Sequence, residues 1–455
     1  MENSSNTSKT GVFQFQTDKG CYLYSSFERA LYRLTRDKDP LKFIPLAVDA
    51  RPFDIPSIKS LEDILNSQLS QLVLNFTEQC NLRCKYCIYG DSYRFVRGYS
   101  DRFMEMEVAF KAVDYFLQRA KIGSFITFYG GEPLLRFKEL VFLVDYVRHR
   151  YPEKEVKISI ATNATLLDEA RVDELVRREV FLQISLDGPS VIHDFNRVYP
   201  RGQGTFEKIY RVIQYIYDKY PDFYPTHILF EVTLTPATDL YTTWEFFKGP
   251  LFEDNLLKVG FLDPEENYYV EKFCSSEQIL NFKTSVGDLL MRFVRDLEQQ
   301  GKSDKFLWEL FGKRLMDIHM LLGSEPGDAI PLNGTCIPGI KKLYVDVQGR
   351  FYPCEKVHER LAIGSVEKGI EIAKVAGLLK KYESISTNCR SCFAKDLCKI
   401  CFAGIASTEG DLSIEKKLAL CQKEKKEIED AFVLYARLME SNPHALDFLE
   451  AYVFE

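Results

Sequence analysis

The sequence predicts an α/β protein built on a partial (β/α)6 TIM barrel, with a small α+β module before it and a cysteine-rich region after it. Two observations carry that reading. Between residues 70 and 265, short apolar runs alternate with helical stretches, the pattern of a parallel sheet wrapped by helices. Residue types with chemical use then gather where those runs end, which is where barrel enzymes place their sites.

At 455 residues the chain is expected to hold two or three domains, and 46% hydrophobic with 27% charged residues is an ordinary globular composition. The net charge of −7, from 59 basic and 66 acidic residues without a basic tail, gives no argument for nucleic acid or an anionic membrane as partner. No apolar run reaches the roughly eighteen residues that span a bilayer, and Met1 to Thr10 is polar rather than a signal peptide, so the expected location is cytoplasmic. Twelve cysteines in that setting point to metal or redox chemistry rather than disulfides. Only Cys21 and Cys274 stand isolated, and both read as packed residues.

Residues 1–69 form an N-terminal extension whose first ten residues, rich in Asn, Ser and Thr, read as disordered. Val12-Phe13-Gln14-Phe15 alternates as a strand, Asp18-Lys19-Gly20 is a turn, and Cys21-Tyr22-Leu23-Tyr24 returns as a second strand. Helical patterning is expected over Ser26–Arg36 and Ser57–Gln68. The extension either packs on the main domain or docks a peptide as an added strand.

Six strands are expected in the barrel, residues 70–265: Gln71–Phe76, Phe125–Tyr129, Val156–Ala161, Phe181–Ser185, Leu229–Leu234 and Leu257–Phe261. Helices such as Glu105–Ala120, Phe137–His149, Asp168–Arg178 and Thr205–Lys219 lie between them. Residues 266–335 read as a helical bridge with Phe273, Trp308 and Phe311 as core. Residues 336–425 are the cysteine-rich domain and 426–455 a helical tail, and a helix expected over Lys423–Met439 caps the cysteine-rich end.

The first strand runs into Cys80, Cys84 and Cys87, spaced C-x3-C-x2-C. Three thiolates can hold three irons of a 4Fe–4S cube and leave the fourth iron free; a catalytic zinc with three cysteines and water is the competing reading. The second strand ends in Gly130-Gly131-Glu132-Pro133, where two glycines allow close backbone approach and Glu132 can meet an ammonium group. The third ends in Thr162-Asn163, and the fourth in Ser185-Leu186-Asp187-Gly188-Pro189, followed by His193, Asp194 and Arg197. Further on come Cys336, Gly349, Cys354, then Cys389-x2-Cys392-x5-Cys398-x2-Cys401, and Cys421. Two zinc ribbons would use such C-x2-C pairs, but seven thiols fit two four-ligand sites badly.

In this order the motifs resemble radical SAM enzymes, with Tyr86 as the aromatic residue before the last cysteine of the triad. The later cysteines resemble a SPASM domain, and the likeness spans residues 70–425. It implies a 4Fe–4S cluster on Cys80, Cys84 and Cys87, whose open iron binds S-adenosylmethionine (SAM) and cleaves it reductively to a 5′-deoxyadenosyl radical. Gly130, Gly131 and Glu132 would then hold the methionine amine, Thr162 and Asn163 face the ribose, and Ser185 and Arg197 contact the carboxylate. Tyr86 and Asp187 join them as cofactor-binding residues. Two auxiliary 4Fe–4S clusters are implied, the outer on Cys389, Cys392, Cys398 and Cys421, the inner on Cys336, Cys354 and Cys401. The chain departs from the SPASM pattern in having C-x2-C where the family has C-x3-C, which bears on the orientation of Cys401. It also lacks, in Ile337–Tyr344, the extra cysteine of sulfatase-maturing members, leaving the inner cluster an open iron able to bind a substrate thiol.

What the resemblance implies is a peptide maturase with three 4Fe–4S clusters and SAM. Its expected reaction forms thioether crosslinks, of sactipeptide or ranthipeptide type, in a Cys-containing ribosomal precursor peptide with a leader. An external flavodoxin- or ferredoxin-type donor would supply electrons. The N-terminal extension is similar to a RiPP recognition element, which holds such leaders. Glu355, directly after Cys354, is the candidate catalytic base, against the ordinary reading of an exposed surface glutamate. A formylglycine-forming sulfatase maturase or a carbon–carbon crosslinking SPASM enzyme is the alternative. A non-catalytic iron–sulfur electron carrier is the remote one, since a carrier has no use for a SAM pocket.

Overall fold

The computed structural model describes residues 11–34, 49–90, 98–262, 268–332, 334–407 and 410–451. The chain divides into two compact units, one formed by Met1–Ser57, Leu290–Cys336 and Ala376–Glu455, the other by Ile58–Leu289 and Ile337–Val375.

In the first unit β1 (Val12–Gln16), β2 (Cys21–Ser25) and β3 (Ala30–Leu34) form an antiparallel sheet in that order. The third strand corrects the helix expected over Ser26–Arg36. Leu31 and Leu34 satisfy helical spacing in so short a run, but the chain turns through Arg29 at φ 50° and pairs Tyr24 with Leu31 and Leu23 with Tyr32. Phe13 stacks on Phe393 at 4.9 Å, and Tyr24 lies 4.3 Å from Phe432 of the helix Ile414–Ser441. Trp308, expected in the core, packs edge-on against Phe448 at 5.1 Å and lies 5.9 Å from Phe293. Beneath the strands the buried Lys395 bonds to Ser26 Oγ at 2.6 Å and faces Asp49 at 3.5 Å. Arg51 holds Asp49 at 2.6 Å and Arg29 holds Asp396 at 2.9 Å, so each buried carboxylate has a cation.

The second unit begins with helix α1 (Ile58–Leu65) and is organised by one sheet. Its strands β4 (Leu69–Thr77), β5 (Ala120–Gly130), β6 (Val156–Thr162), β7 (Phe181–Ser185), β8 (Ile228–Leu234) and β9 (Leu256–Phe261) are the six expected ones, all parallel. Helices α2 (Met106–Leu117), α3 (Phe137–Arg150), α4 (Glu169–Val176), α5 (Ser190–Asn196) and α6 (Phe206–Lys219) connect them. Beyond β4 the sheet continues through β10 (Leu343–Val345), parallel to it, and then β11 (Arg350–Tyr352), β12 (Gly364–Ser365) and β13 (Gly369–Ile370), all antiparallel. Period-two alternation divides the strand side chains. Leu72, Leu74, Phe76, Ile126, Phe128, Ile158 and Ile160 form one buried apolar face. The other face is polar: Gln71 donates to Thr127 at 2.7 Å, Thr127 and Ser159 lie 2.8 Å apart, and Gln183 donates to Ser159 at 3.3 Å. No helix among the described residues is long and apolar enough to cross a membrane.

Candidate active site

The C-terminal end of β4 carries the first cysteine loop, and the end of β5 is pressed against it. Gly131 N donates to Thr77 O at 2.7 Å and Glu132 N to Gln79 O at 2.8 Å. A Cβ on Gly130, at φ 137°, would lie 2.2 Å from Thr77 O, and one on Gly131 would lie 1.9 Å from Gln79 O. Only glycine fits either position. The loop is fastened from the other side by Arg83 N to Val198 O at 2.8 Å and Lys85 N to Asn196 O at 3.0 Å. Burial pushes the Cys80 and Cys84 thiols up to about 12, and neighbouring thiols add to the rise. Such crowded, desolvated thiols are poor free acids and gain most from metal, which binds them as thiolates. Among the described residues no three His, Cys, Asp or Glu side chains gather as ligands to one metal ion.

Glu132 is wholly buried and serves as a brace. Its carboxylate accepts from Leu134 N at 3.0 Å, Thr162 Oγ1 at 2.7 Å and Asn163 N at 2.8 Å, tying the end of β5 to that of β6. Burial raises its pKa to about 7 against those three bonds. Asn163 in turn donates to Asn81 Oδ1 at 3.0 Å, and Asn81 to Thr165 Oγ1 at 2.8 Å, which locks the cysteine loop to the third strand end.

At the end of β7 the buried Asp187 is the hub. It accepts from Arg197 Nε at 3.0 Å and Nη2 at 3.3 Å, from Thr233 N at 3.1 Å, and from the Tyr86 hydroxyl. The Arg197 guanidinium lies 5.2 Å above the Tyr86 ring, so the cysteine loop and the fourth strand end share one charged contact. His193 is buried and neutral, its pKa lowered to about 4 by desolvation; Nδ1 accepts from Asp187 N at 3.3 Å and Nε2 lies 3.0 Å from Thr205 Oγ1. Asp194 caps α6 through Thr205 N at 2.7 Å and Phe206 N at 2.9 Å. Thus His193 and Asp194 set the backbone, and Arg197 supplies the charge. Ser185, on the same strand end, is half-buried.

Glu355 is half-buried rather than an exposed surface residue, its side chain 12% exposed. Oε1 pairs with Lys342 Nζ at 2.6 Å, while Oε2 accepts from no other described residue. Sequence reasoning missed the group it belongs to. Tyr129 lies on β5 with its phenol pushed well up, first by burial and then by the charges of Glu355, Tyr344, Cys87 and Glu231. Tyr129 is thus the residue on which the charges of Glu355 and the cysteine loop both bear. A tyrosine inside a strand run looks like any β-residue, and only its place directly before Gly130 marks it. Tyr269 was missed too; its hydroxyl bonds Asn196 Oδ1 at 2.5 Å, and Cys84 and the lone Cys274 pack against its cluster.

In the first unit the thiols of Cys392, Cys398 and Cys421 are pushed up, mainly by burial and further by neighbouring thiols, Cys389 among them. The loop before Cys336 rests on the Cys398-x2-Cys401 turn, where a Cβ on Gly334 would lie 2.4 Å from the Lys399 backbone. Cys354 and Glu355 belong to the second unit.

Residues 74–235 match the model of the radical SAM superfamily. The chain is 28% identical over 377 residues to the cysteine-type anaerobic sulfatase-maturating enzyme of Clostridium perfringens strain 13, covering 80% of this chain and 96% of that protein. It is 21% identical to the serine-type anaerobic sulfatase-maturating enzyme of Bacteroides thetaiotaomicron, over 69% of this chain and 77% of the relative. Its fold resembles the solved structure of native anSMEcpe with bound AdoMet and Cp18Cys peptide, with a TM-score of 0.58 at 23% identity over 85% of this chain and all of that one.

Proposed function

The chain is a radical SAM protein with an additional cysteine-rich C-terminal domain, and from that premise we propose that it forms thioether crosslinks in a Cys-containing ribosomal peptide. Cys80, Cys84 and Cys87 would hold the SAM-binding cluster; Cys389, Cys392, Cys398 and Cys421 one auxiliary cluster; and Cys336, Cys354 and Cys401 would serve a second. When bound, SAM would supply the 5′-deoxyadenosyl radical, the clusters the electron that releases it and a place for the electron left over from the oxidation, with an external flavodoxin- or ferredoxin-type donor as the source of the priming electron.

The chain's own residues do the rest. Glu132, Asn163 and Asn81 fix the loop geometry, and Asp187 aims the Arg197 guanidinium, the natural partner of a SAM carboxylate. Glu355, steadied by Lys342, takes the proton of the substrate thiol on Oε2. The observation that carries the reading is the thiol count: Ile337–Tyr344 adds no fourth cysteine to Cys336, Cys354 and Cys401. The sulfatase-maturating relatives support a second reading, formylglycine formation on a cysteine or serine, with Glu355 again as base. The β1–β3 sheet remains a candidate leader-docking element.

The test is anaerobic reconstitution with dithionite, SAM and a short Cys-rich peptide carrying its leader, followed by mass spectrometry and thiol alkylation. Loss of two hydrogens with one alkylatable thiol per event is the expected result. Loss of two hydrogens with every thiol still alkylatable, or conversion of a residue to an aldehyde, overturns the thioether reading.

A further inference from the structure

The helix Ile414–Ser441 carries a lysine that ordinary packing does not explain. Lys417 is 2% exposed, one turn before Cys421 on the same helix face. Its ammonium donates to Ser386 Oγ and to Ile385 O at 3.3 Å and lies 4.3 Å from the Tyr382 ring centroid; the Ser386 carbonyl in turn accepts from Cys389 N at 2.8 Å. It forms no ion pair with a carboxylate among the described residues. The titratable groups nearest it are the cysteines Cys389, Cys421 and Cys398, which carry charge only as thiolates. A buried cation without a counter-charge is costly, and the usual remedy is a partner anion. Four thiolates around a 4Fe–4S core carry net negative charge in every common oxidation state, and reduction adds more. The other charges nearby do not fill this role. Glu424 faces Cys398 and Cys421 but is held by Arg314 at 2.6 Å, and Lys425, beside Cys392 and Cys421, is half-buried.

We propose that Lys417 is the built-in counter-cation of an iron–sulfur cluster on Cys389, Cys392, Cys398 and Cys421, and that it raises that cluster's reduction potential. The inference rests on the auxiliary-cluster reading above and adds a residue to it. A fixed positive charge beside the ligand sulfurs favours the reduced, more negative cluster. Lys417 is thus a positioning residue for electrons, acting through the cluster rather than on substrate.

The test uses full-length protein in which Cys80, Cys84 and Cys87 are alanine, reconstituted anaerobically and titrated potentiometrically by EPR. Lys417→Gln keeps a donor and loses the charge; it is expected to lower one midpoint so that the reduced fraction at fixed potential falls at least tenfold, 59 mV for one electron. The shifted signal should vanish with Cys392→Ala, and Lys417→Arg should restore the parent midpoint. An unshifted midpoint in Lys417→Gln with full iron overturns the proposal. If Lys417→Gln loses iron, retention by Lys417→Arg supports the charge role and loss by both overturns it. A parent protein without iron or sulfide defeats the auxiliary-cluster reading itself, and the metal assay reports that failure separately.

Discussion

Asp187 Oδ2 and Arg197 Nε meet at 3.0 Å with their side chains 1% and 9% exposed, one before and one after the short helix α5. Losing the carboxylate strands a buried guanidinium, at a cost on the order of 3–5 kcal/mol. Asp187→Ala is therefore expected to lower the melting temperature and abolish SAM binding. Calorimetric titration with SAM checks the second effect, and unchanged affinity would show that Arg197 needs no brace.

His193 gives the site a pH limit. Its folded pKa of about 4 lies below the unfolded value of 6.5, so the unfolded chain binds the extra proton between those values. The stability it contributes is whole above 6.5 and is lost as pH falls toward 4, by about 3 kcal/mol at most. Urea midpoints measured from pH 7 to 4.5 should fall less steeply in His193→Gln than in the parent. Parallel profiles would assign the acid sensitivity elsewhere.

Gly131→Ala drives a methyl into the Gln79 carbonyl, 1.9 Å from the new Cβ, and displaces the start of the cysteine loop. The variant should lose the iron held by the Cys80 triad and make no 5′-deoxyadenosine, while retaining whatever iron the C-terminal cysteines bind. Parallel iron assays of Gly131→Ala and the Cys80→Ala variant measure this.

Glu355→Gln removes the proposed base and is expected to leave the cysteine loop intact. Modified peptide should fall by about 10²–10⁴-fold while 5′-deoxyadenosine persists, uncoupled from product. Lys342→Met should give a smaller loss of the same kind, because it frees the carboxylate that Lys342 holds at 2.6 Å. Product and nucleoside measured in one assay separate these outcomes from a failure to cleave SAM.

The barrel was legible because its strands are compact apolar runs and the first four have chemically distinctive ends. Cys80, Gly131, Thr162 and Asp187 all stand where a strand stops, and local sequence marks such places well. What escaped the sequence depends on distant partners. Ala30–Leu34 became a strand because β2 was beside it. Glu355 is largely shielded, its side chain 12% exposed, where Lys342 meets it. Even Glu132, expected to face an ammonium group, first satisfies Leu134, Thr162 and Asn163.

Tyr344 of β10 pairs with Val73 of β4, more than two hundred residues earlier in the chain. During synthesis β4 must wait with one edge bare until that late strand leaves the ribosome, and long-range pairings of this kind close slowly. The strand that delivers the Cys80 loop is therefore among the last to be secured. The pairing thus ties the loop's supporting strand to a segment that is synthesised far later than the loop itself.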